Sequence, residues 1–175
     1  HQAEETLRRT NQTLDSLIQA SPLAILTIDA DRNITSWNPA AERIFGWTAR
    51  EVIGRPIPFV PEESREESEA LFRRVLGGES LSGVELRRGR KDGSLVHIGL
   101  STAPLLNADG RVSGVMATIA DVTERVKAQE GLRRSEQLYR DIVALTDAAV
   151  VRFDLEGHRT FVNGAFVRRH AKPAE

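Results

Sequence analysis

The order of elements along the chain predicts an α+β protein with an antiparallel sheet and helices over one face. Two short β-branched stretches separated by a turn come first, then a helix-rich middle. Three strands divided by Asp-Gly turns follow, before a long charged helix. Runs of strands with the helices segregated between them indicate α+β, because a parallel sheet would need a crossover helix after each strand. The 175 residues are 40% hydrophobic, carry a formal net charge of -1 and include no cysteine. That length supports a globular core with additional chain. The near-zero charge gives no general attraction to nucleic acid or an anionic membrane, and the missing thiol removes disulfides, thiolate metal sites, cysteine nucleophiles and thiol adducts. No apolar run in this chain approaches the roughly 20 residues that span a bilayer, and no signal-peptide pattern is visible in it. A cytoplasmic location, without membrane contact within this chain, is expected.

Residues 1–20 read as an amphipathic helix, with Leu7, Leu14, Leu17 and Ile18 on one side in a heptad-like spacing that suits a short coiled coil. Ser21-Pro22 ends it. AILTI (24–28) and ITSW (34–37) flank a turn-forming segment and predict a β-hairpin. Asn38 is an N-cap, Pro39 fits the first helical position, and Gly46 closes the short helix PAAERIF. Thr48 and Glu51 form a capping box for another short helix that stops at Gly54. Three prolines, Pro56, Pro58 and Pro61, punctuate the next connection. The helix predicted over 62–76 has its Glu early and Arg73 and Arg74 late, as the helix dipole favours. Its buried stripe is Leu71, Phe72, Val75 and Leu76.

After Gly77-Gly78, strands are predicted over 82–88, 94–106 and 111–120, joined by turns at Lys91-Asp92-Gly93 and Asn107-Ala108-Asp109-Gly110. In the middle strand Val96, Ile98, Leu100 and Thr102 share one face, and His97, Gly99 and Ser101 the other, which makes His97 an outward-facing residue. The last strand runs without a spacer into a helix at Asp121-Val122-Thr123-Glu124-Arg125. Asp121 is placed to accept from free backbone N–H groups, and Glu124 to reach back. A core strand continuous with a protruding helix can transmit a change in that core, so Asp121, Thr123, Glu124 and Arg125 are the candidate signal relay. Beyond it Val126, Leu132, Tyr139 and Ile142 make a stripe that Gln129, Gly131 and Ser135 interrupt, the pattern of a bistable connector rather than a rigid rod.

The chain then repeats itself. At an offset of 125 residues, Ala149 matches Ala24, Asp154 matches Asp29, Asn163 matches Asn38, Ala165 matches Ala40 and Arg168 matches Arg43. The expected organisation is an N-terminal helix (1–20), a domain over 21–121, a linker helix (122–145) and, over 146–175, a truncated start of a second domain of the same kind. The chain is accordingly expected to be a piece of a longer protein with tandem modules.

Residues 12–125 resemble a PAS domain, the sensory box of bacterial signalling proteins. The resemblance rests on ITSWNPAAERIFGWTAREVIGRP, on RRGRKDGSLVHIGLSTAPLLNADGRV, and on IADVTERVKAQEGL, whose Asp121-Val122-Thr123 is similar to the family's Asp-x-Thr exit motif. It implies a five-stranded antiparallel sheet, helices over one face, a pocket between them, and signalling through the flanking helices. It identifies the fold more closely than the ligand.

The resemblance also narrows the cofactor. Flavin-adduct members need a cysteine beside the flavin, and this chain has none. Where those members use Asn and Gln against the flavin's polar edge, Ile98 and Ile119 align, which removes hydrogen-bonding capacity that buried ring heteroatoms require. Haem-binding members use a His on the long helix, and 62–76 contains no His. Covalent-adduct flavin and His-ligated haem are therefore not expected, and no pair of histidines has metal-ligand spacing. The candidate pocket is Trp37, Phe45, Phe59, Phe72, Ile98, Leu100, Met116 and Ile119, read either as plain core or as the lining for a small apolar ligand or a non-covalent flavin, with Trp37 as stacking partner.

The basic run Arg87-Arg88-Gly89-Arg90-Lys91 surrounds a hairpin turn and reads as a solvated loop, not a nucleic-acid patch. The Glu-rich helix start reads as dipole compensation. No nucleophile triad, phosphate loop or paired carboxylate site is present in the sequence, and neither is a kinase phosphoacceptor motif or a cyclase signature. The expected function is a sensory or regulatory module of a signal-transduction protein, such as a two-component system. It would dimerise through its flanking helices and serve a downstream effector such as a histidine kinase or diguanylate cyclase, with no enzyme activity of its own. The alternatives are a cofactor-dependent redox sensor and a ligand-free dimerisation scaffold.

Overall fold

A computed structural model describes residues 2–146 and 148–170. The chain divides into two units at the Glu124/Arg125 junction. In the first, α1 (Gln2–Ala20) precedes a hairpin of β1 (Ala24–Asp29) and β2 (Ile34–Trp37). Two short helices follow, α2 (Pro39–Phe45) and α3 (Ala49–Val52). A 3₁₀ turn (Glu62–Ser64) leads into α4 (Arg65–Leu76), then β3 (Leu81–Gly89), β4 (Leu95–Leu106) and β5 (Val112–Asp121). The helix expected over 62–76 thus begins as a tighter turn after Pro61, which cannot donate a backbone hydrogen bond.

The five strands form one antiparallel sheet in the order β2-β1-β5-β4-β3. β5, last in sequence, is central in space. Its seam with β1 is tight at Gly114, where an added Cβ would lie 2.3 Å from the Ile28 carbonyl oxygen. The core fills one face of the sheet, with Leu26, Ile98, Val115, Ala117 and Ile119 meeting Phe72 and Val75 of α4.

Local chemistry fixes the joints. Asn38 caps α2 by accepting from the Ala41 N–H at 3.0 Å, and Gly46 ends that helix in the left-handed region at φ 85°. Glu51 accepts from the Thr48 N–H at 2.9 Å and hydroxyl at 3.0 Å. Asn38 is itself buried and spends its whole amide on the chain around it. Its Oδ1 also accepts from the Ile25 N–H at 2.9 Å, and its Nδ2 donates to the Ile18 and Leu23 carbonyls, both at 3.0 Å.

The second unit begins within α5 (Thr123–Leu145) and contains a hairpin of β6 (Val151–Phe153) and β7 (Arg159–Val162) and the helix α6 (Gly164–His170). It reproduces the first unit's joint residue by residue. Asn163 Oδ1 accepts from Val150 N at 3.0 Å and Phe166 N at 3.1 Å, and Nδ2 donates to the carbonyls of Val143 at 3.0 Å and Ala148 at 2.9 Å. All four partners lie 125 residues beyond those of Asn38. Asp154 likewise organises its turn as Asp29 does, accepting from two backbone N–H groups. Where the first hairpin forces Arg32 to φ 69°, the second has Gly157 at φ 86°.

Candidate functional site

Between α4 and the inner face of the sheet lies a cavity of ≈60 Å³. Five of the eight predicted pocket residues line it: Phe59, Phe72, Ile98, Leu100 and Ile119. The alternation in β4 that puts Val96, Ile98, Leu100 and Thr102 on one face is why Ile98, Leu100 and Thr102 arrive there together.

The other three stand elsewhere. Met116 is a correction: it lies on the opposite face of β5, 38% exposed, between the buried Val115 and Ala117. Trp37 and Phe45 are buried in an adjoining aromatic cluster and do not line the cavity. Phe45 stacks on Phe59 with centroids 4.2 Å apart, and Trp37 sits 5.9 Å from Phe59 and donates its indole N–H to the Trp47 carbonyl at 3.0 Å. Phe59 is the residue that joins cluster and cavity.

The cavity also has polar residues that the sequence reading missed. Arg88, expected to be a solvated loop residue, is a correction of the opposite kind: it is 3% exposed and lines the cavity with Thr102 and Ser68. The signal was available in β3, where Leu86 and Arg88 are two apart and so share the inward face. Arg88 Nη1 donates to Glu67 Oε2 at 3.2 Å and to the Arg87 carbonyl at 2.8 Å. Glu67 is therefore an ion-pair partner as well as part of an acidic helix start. Ser68 Oγ accepts from Arg32 Nη2 at 3.3 Å, and Thr102 Oγ1 is buried with no hydrogen-bond partner among the described residues.

At the other end of the same strands, Asp121 is the last residue of β5 and α5 starts at Thr123. The carboxylate expected to cap the helix sits one residue further out, accepting from Thr123 N–H at 2.9 Å and from Arg90 Nη2 at 2.8 Å. Thr123 Oγ1 accepts from the His97 N–H at 3.1 Å, and Val122 N–H donates to the His97 carbonyl at 2.9 Å. His97, on the outer face of β4, thus holds the start of α5 through its backbone. Burial pushes the Asp121 carboxyl up, but the Thr123 hydroxyl and amide and the Arg90 charge outweigh it and hold the group below the usual carboxylate range. Glu124 and Arg125 occupy the first turn of α5.

The cavity does not fit a flavin. Its ≈60 Å³ is far below the roughly 300–1,000 Å³ of ordinary cofactor pockets, and Ile98 and Ile119 present no polar atoms to a ring edge. Among the described residues no helix is long and apolar enough to cross a membrane.

Comparison with known proteins places these features. The chain is 25% identical over 134 residues to the signal transduction histidine-protein kinase AtoS of Escherichia coli (strain K12), a match that covers 77% of this chain and 22% of AtoS. The chain thus spans about a fifth of that relative's length. Among solved structures, an RNA-binding light-oxygen-voltage receptor matches with a TM-score of 0.63 and 29% identity, over 75% of this chain and 38% of that one. The PAS domain of a Colwellia psychrerythraea protein matches with a TM-score of 0.61 and 20% identity, over 66% of this chain and 98% of that domain. A family profile for the PAS fold matches residues 12–122, and with the five-stranded antiparallel sheet this shows that the chain belongs to the PAS family of non-catalytic sensory modules in signalling proteins.

Proposed function

We propose that residues 21–121 detect a small molecule in the cavity and pass its arrival through β5 to α5, for an effector domain such as a histidine kinase or diguanylate cyclase. One observation carries this reading: Ile119 lines the cavity, and two residues later the same strand ends at Asp121, tied to both Arg90 and Thr123. A shift of β5 must therefore stretch or relax the joint that sets the start of α5. The occupant works only by binding one arrangement of the sheet better than the other.

The test is signalling output in a protein that carries this chain together with its effector. Asp121→Ala and Arg90→Ala each remove one side of the tie. The loss of the cap-like Asp121 bond costs about 1 kcal/mol, too little to unfold the domain. Both variants are expected to shift basal output and blunt its response. Output and response equal to wild type in both would overturn the relay.

A further inference from the structure

The two hairpin turns, both organised by an Asp, differ at one position. Gly157 takes the left-handed backbone of the second turn, and 125 residues earlier Arg32 carries the same backbone at φ 69°. Glycine enters that region freely, whereas a residue with a Cβ is strained there. The first turn accepts the strain, and its side chain makes contacts that a glycine could not. Arg32 Nη1 lies 3.3 Å from Glu69 Oε1, Nη2 donates to Ser68 Oγ at 3.3 Å, and the guanidinium carbon sits 5.5 Å from the Phe72 ring centroid. Ser68 and Phe72 are four residues apart on α4, and Glu69 and Phe72 three, so the three form one patch of helix surface. Ser68 and Phe72 also line the cavity. Arg32 therefore holds, from outside, the part of α4 that closes the void.

The same helix is tied on its other side, where Glu67 pairs with Arg88 of β3 at 3.2 Å. β3 forms one edge of the sheet, and β2, which leaves the Arg32 turn, forms the other. α4 thus crosses the cavity with a tie to each margin, and the ties are unequal. The Arg88 side chain is 4% exposed, so its pair is shielded from salt; the Arg32 side chain is 29% exposed, and its backbone is strained. We propose that Arg32 is a latch. It holds α4 down over the cavity, and its release lets α4 swing about the Arg88–Glu67 pair and opens the cavity beside the β1–β2 turn. Backbone strain and hydration of the guanidinium favour release, while Glu69, Ser68 and the Phe72 ring oppose it, so the two arrangements stand close in free energy. This inference rests on the reading that the cavity receives a ligand, and it adds the route by which one enters.

Arg32→Gly separates the backbone of this residue from its side chain. A residue needed only for the turn would be improved by glycine, whereas a latch would be lost. Amide hydrogen exchange of the 175-residue chain, followed by NMR, reads both regions. The turn is reported by Asp29 N–H, which donates to the Asn33 carbonyl, and by Asn33 N–H, which donates to Asp29 Oδ1. The helix is reported by the amides of residues 69–76. In Arg32→Gly the α4 amides are expected to exchange about fivefold faster or more, with the turn amides unchanged or slower. Glu69→Gln, which leaves the backbone at Arg32 as it is, should produce part of the same acceleration, and so should added sodium chloride in the wild type. Wild-type exchange in α4 of Arg32→Gly, or an equal acceleration across the sheet, would overturn the latch. Dissolved xenon, a probe for small apolar cavities, tests the route: by xenon-129 NMR it should enter and leave Arg32→Gly about fivefold faster or more than wild type. Bound xenon that exchanges equally fast in both proteins would overturn Arg32 as the control of entry. Failure of xenon to bind either protein would count against the cavity as a ligand site, and with it the entry route, while α4 exchange still decides whether Arg32 holds the helix.

Discussion

At the scale of single residues, the side chains that organise this protein are the ones with the most complete or the least complete hydrogen bonding. Asn38 belongs to the first group, joining α1, β1 and α2 through four bonds from one buried amide. Asn38→Ala leaves two N–H groups and two carbonyls to find other partners. The expected loss is about 3 kcal/mol, combining a lost cap with unsatisfied buried backbone. It is measured by urea unfolding with the fluorescence of Trp37 and Trp47. Glu51 offers a pH prediction. The Lys91 ammonium, and then the Thr48 amide and hydroxyl, hold its carboxyl down at about 2 against an ordinary 4.5. A depressed folded pKa contributes stability above the unfolded value and loses it as pH falls through the folded one. Stability should therefore decline from about pH 4.5 to about pH 2, and Lys91→Met should flatten that part of the melting-temperature profile. The pair is open to solvent, so the difference is small and shrinks further in salt.

At the scale of elements, β5 carries the argument. It is central in the sheet, lines the cavity through Ile119, and leads into α5. Its partner β1 approaches so closely at Gly114 that a methyl group there would sit 2.3 Å from the Ile28 carbonyl oxygen and 3.3 Å from the Asp29 Cα. Gly114→Ala must open the β1–β5 seam, because backbone on both sides cannot yield as a flexible side chain would. Destabilisation of about 2–3 kcal/mol is expected, with faster amide exchange at paired residues such as Thr27 and Met116. Wild-type melting and exchange would show that the strands separate there at no cost.

At the scale of the whole molecule, the Asn163 joint of the second unit echoes the Asn38 joint of the first, which supports the proposal that residues 146–175, of which 147 and 171–175 lie outside the described residues, are the truncated start of a second PAS domain. We propose that α1 pairs with a second copy's helix: Leu7, Leu14 and Leu17 are 62%, 52% and 64% exposed in the single chain, in the heptad-like spacing of a short coiled coil. Removing residues 1–16, which spares the Ile18 carbonyl used by Asn38, should weaken dimerisation at least tenfold by sedimentation equilibrium. An unchanged dimer constant would exclude α1 from the contact.

What the sequence determined by itself was local and periodic. Caps at Asn38 and Thr48, the turns at Gly93 and Gly110, and the alternation in β4 each depend on residues within a few positions of one another, so their chemistry was legible without the fold. The repeat was legible for the same reason. What only the tertiary structure decided was which face of each strand turned inward and how far the core closed. Met116 and Ile119 are three apart on one strand and cannot share a face, so placing both in the pocket conflicted with the pleat; packing resolved it in favour of Ile119. Arg88 shares its face with Leu86, yet a charged residue in a basic run reads as solvated until α4 is seen to lie across it. Trp37 and Phe45 were apolar and buried as expected, but their rings filled the space beside Phe59 instead of bounding the void. A cavity is the gap left by residues distant in sequence, so its size and its unpaired donors arise only once α4 and the sheet have met.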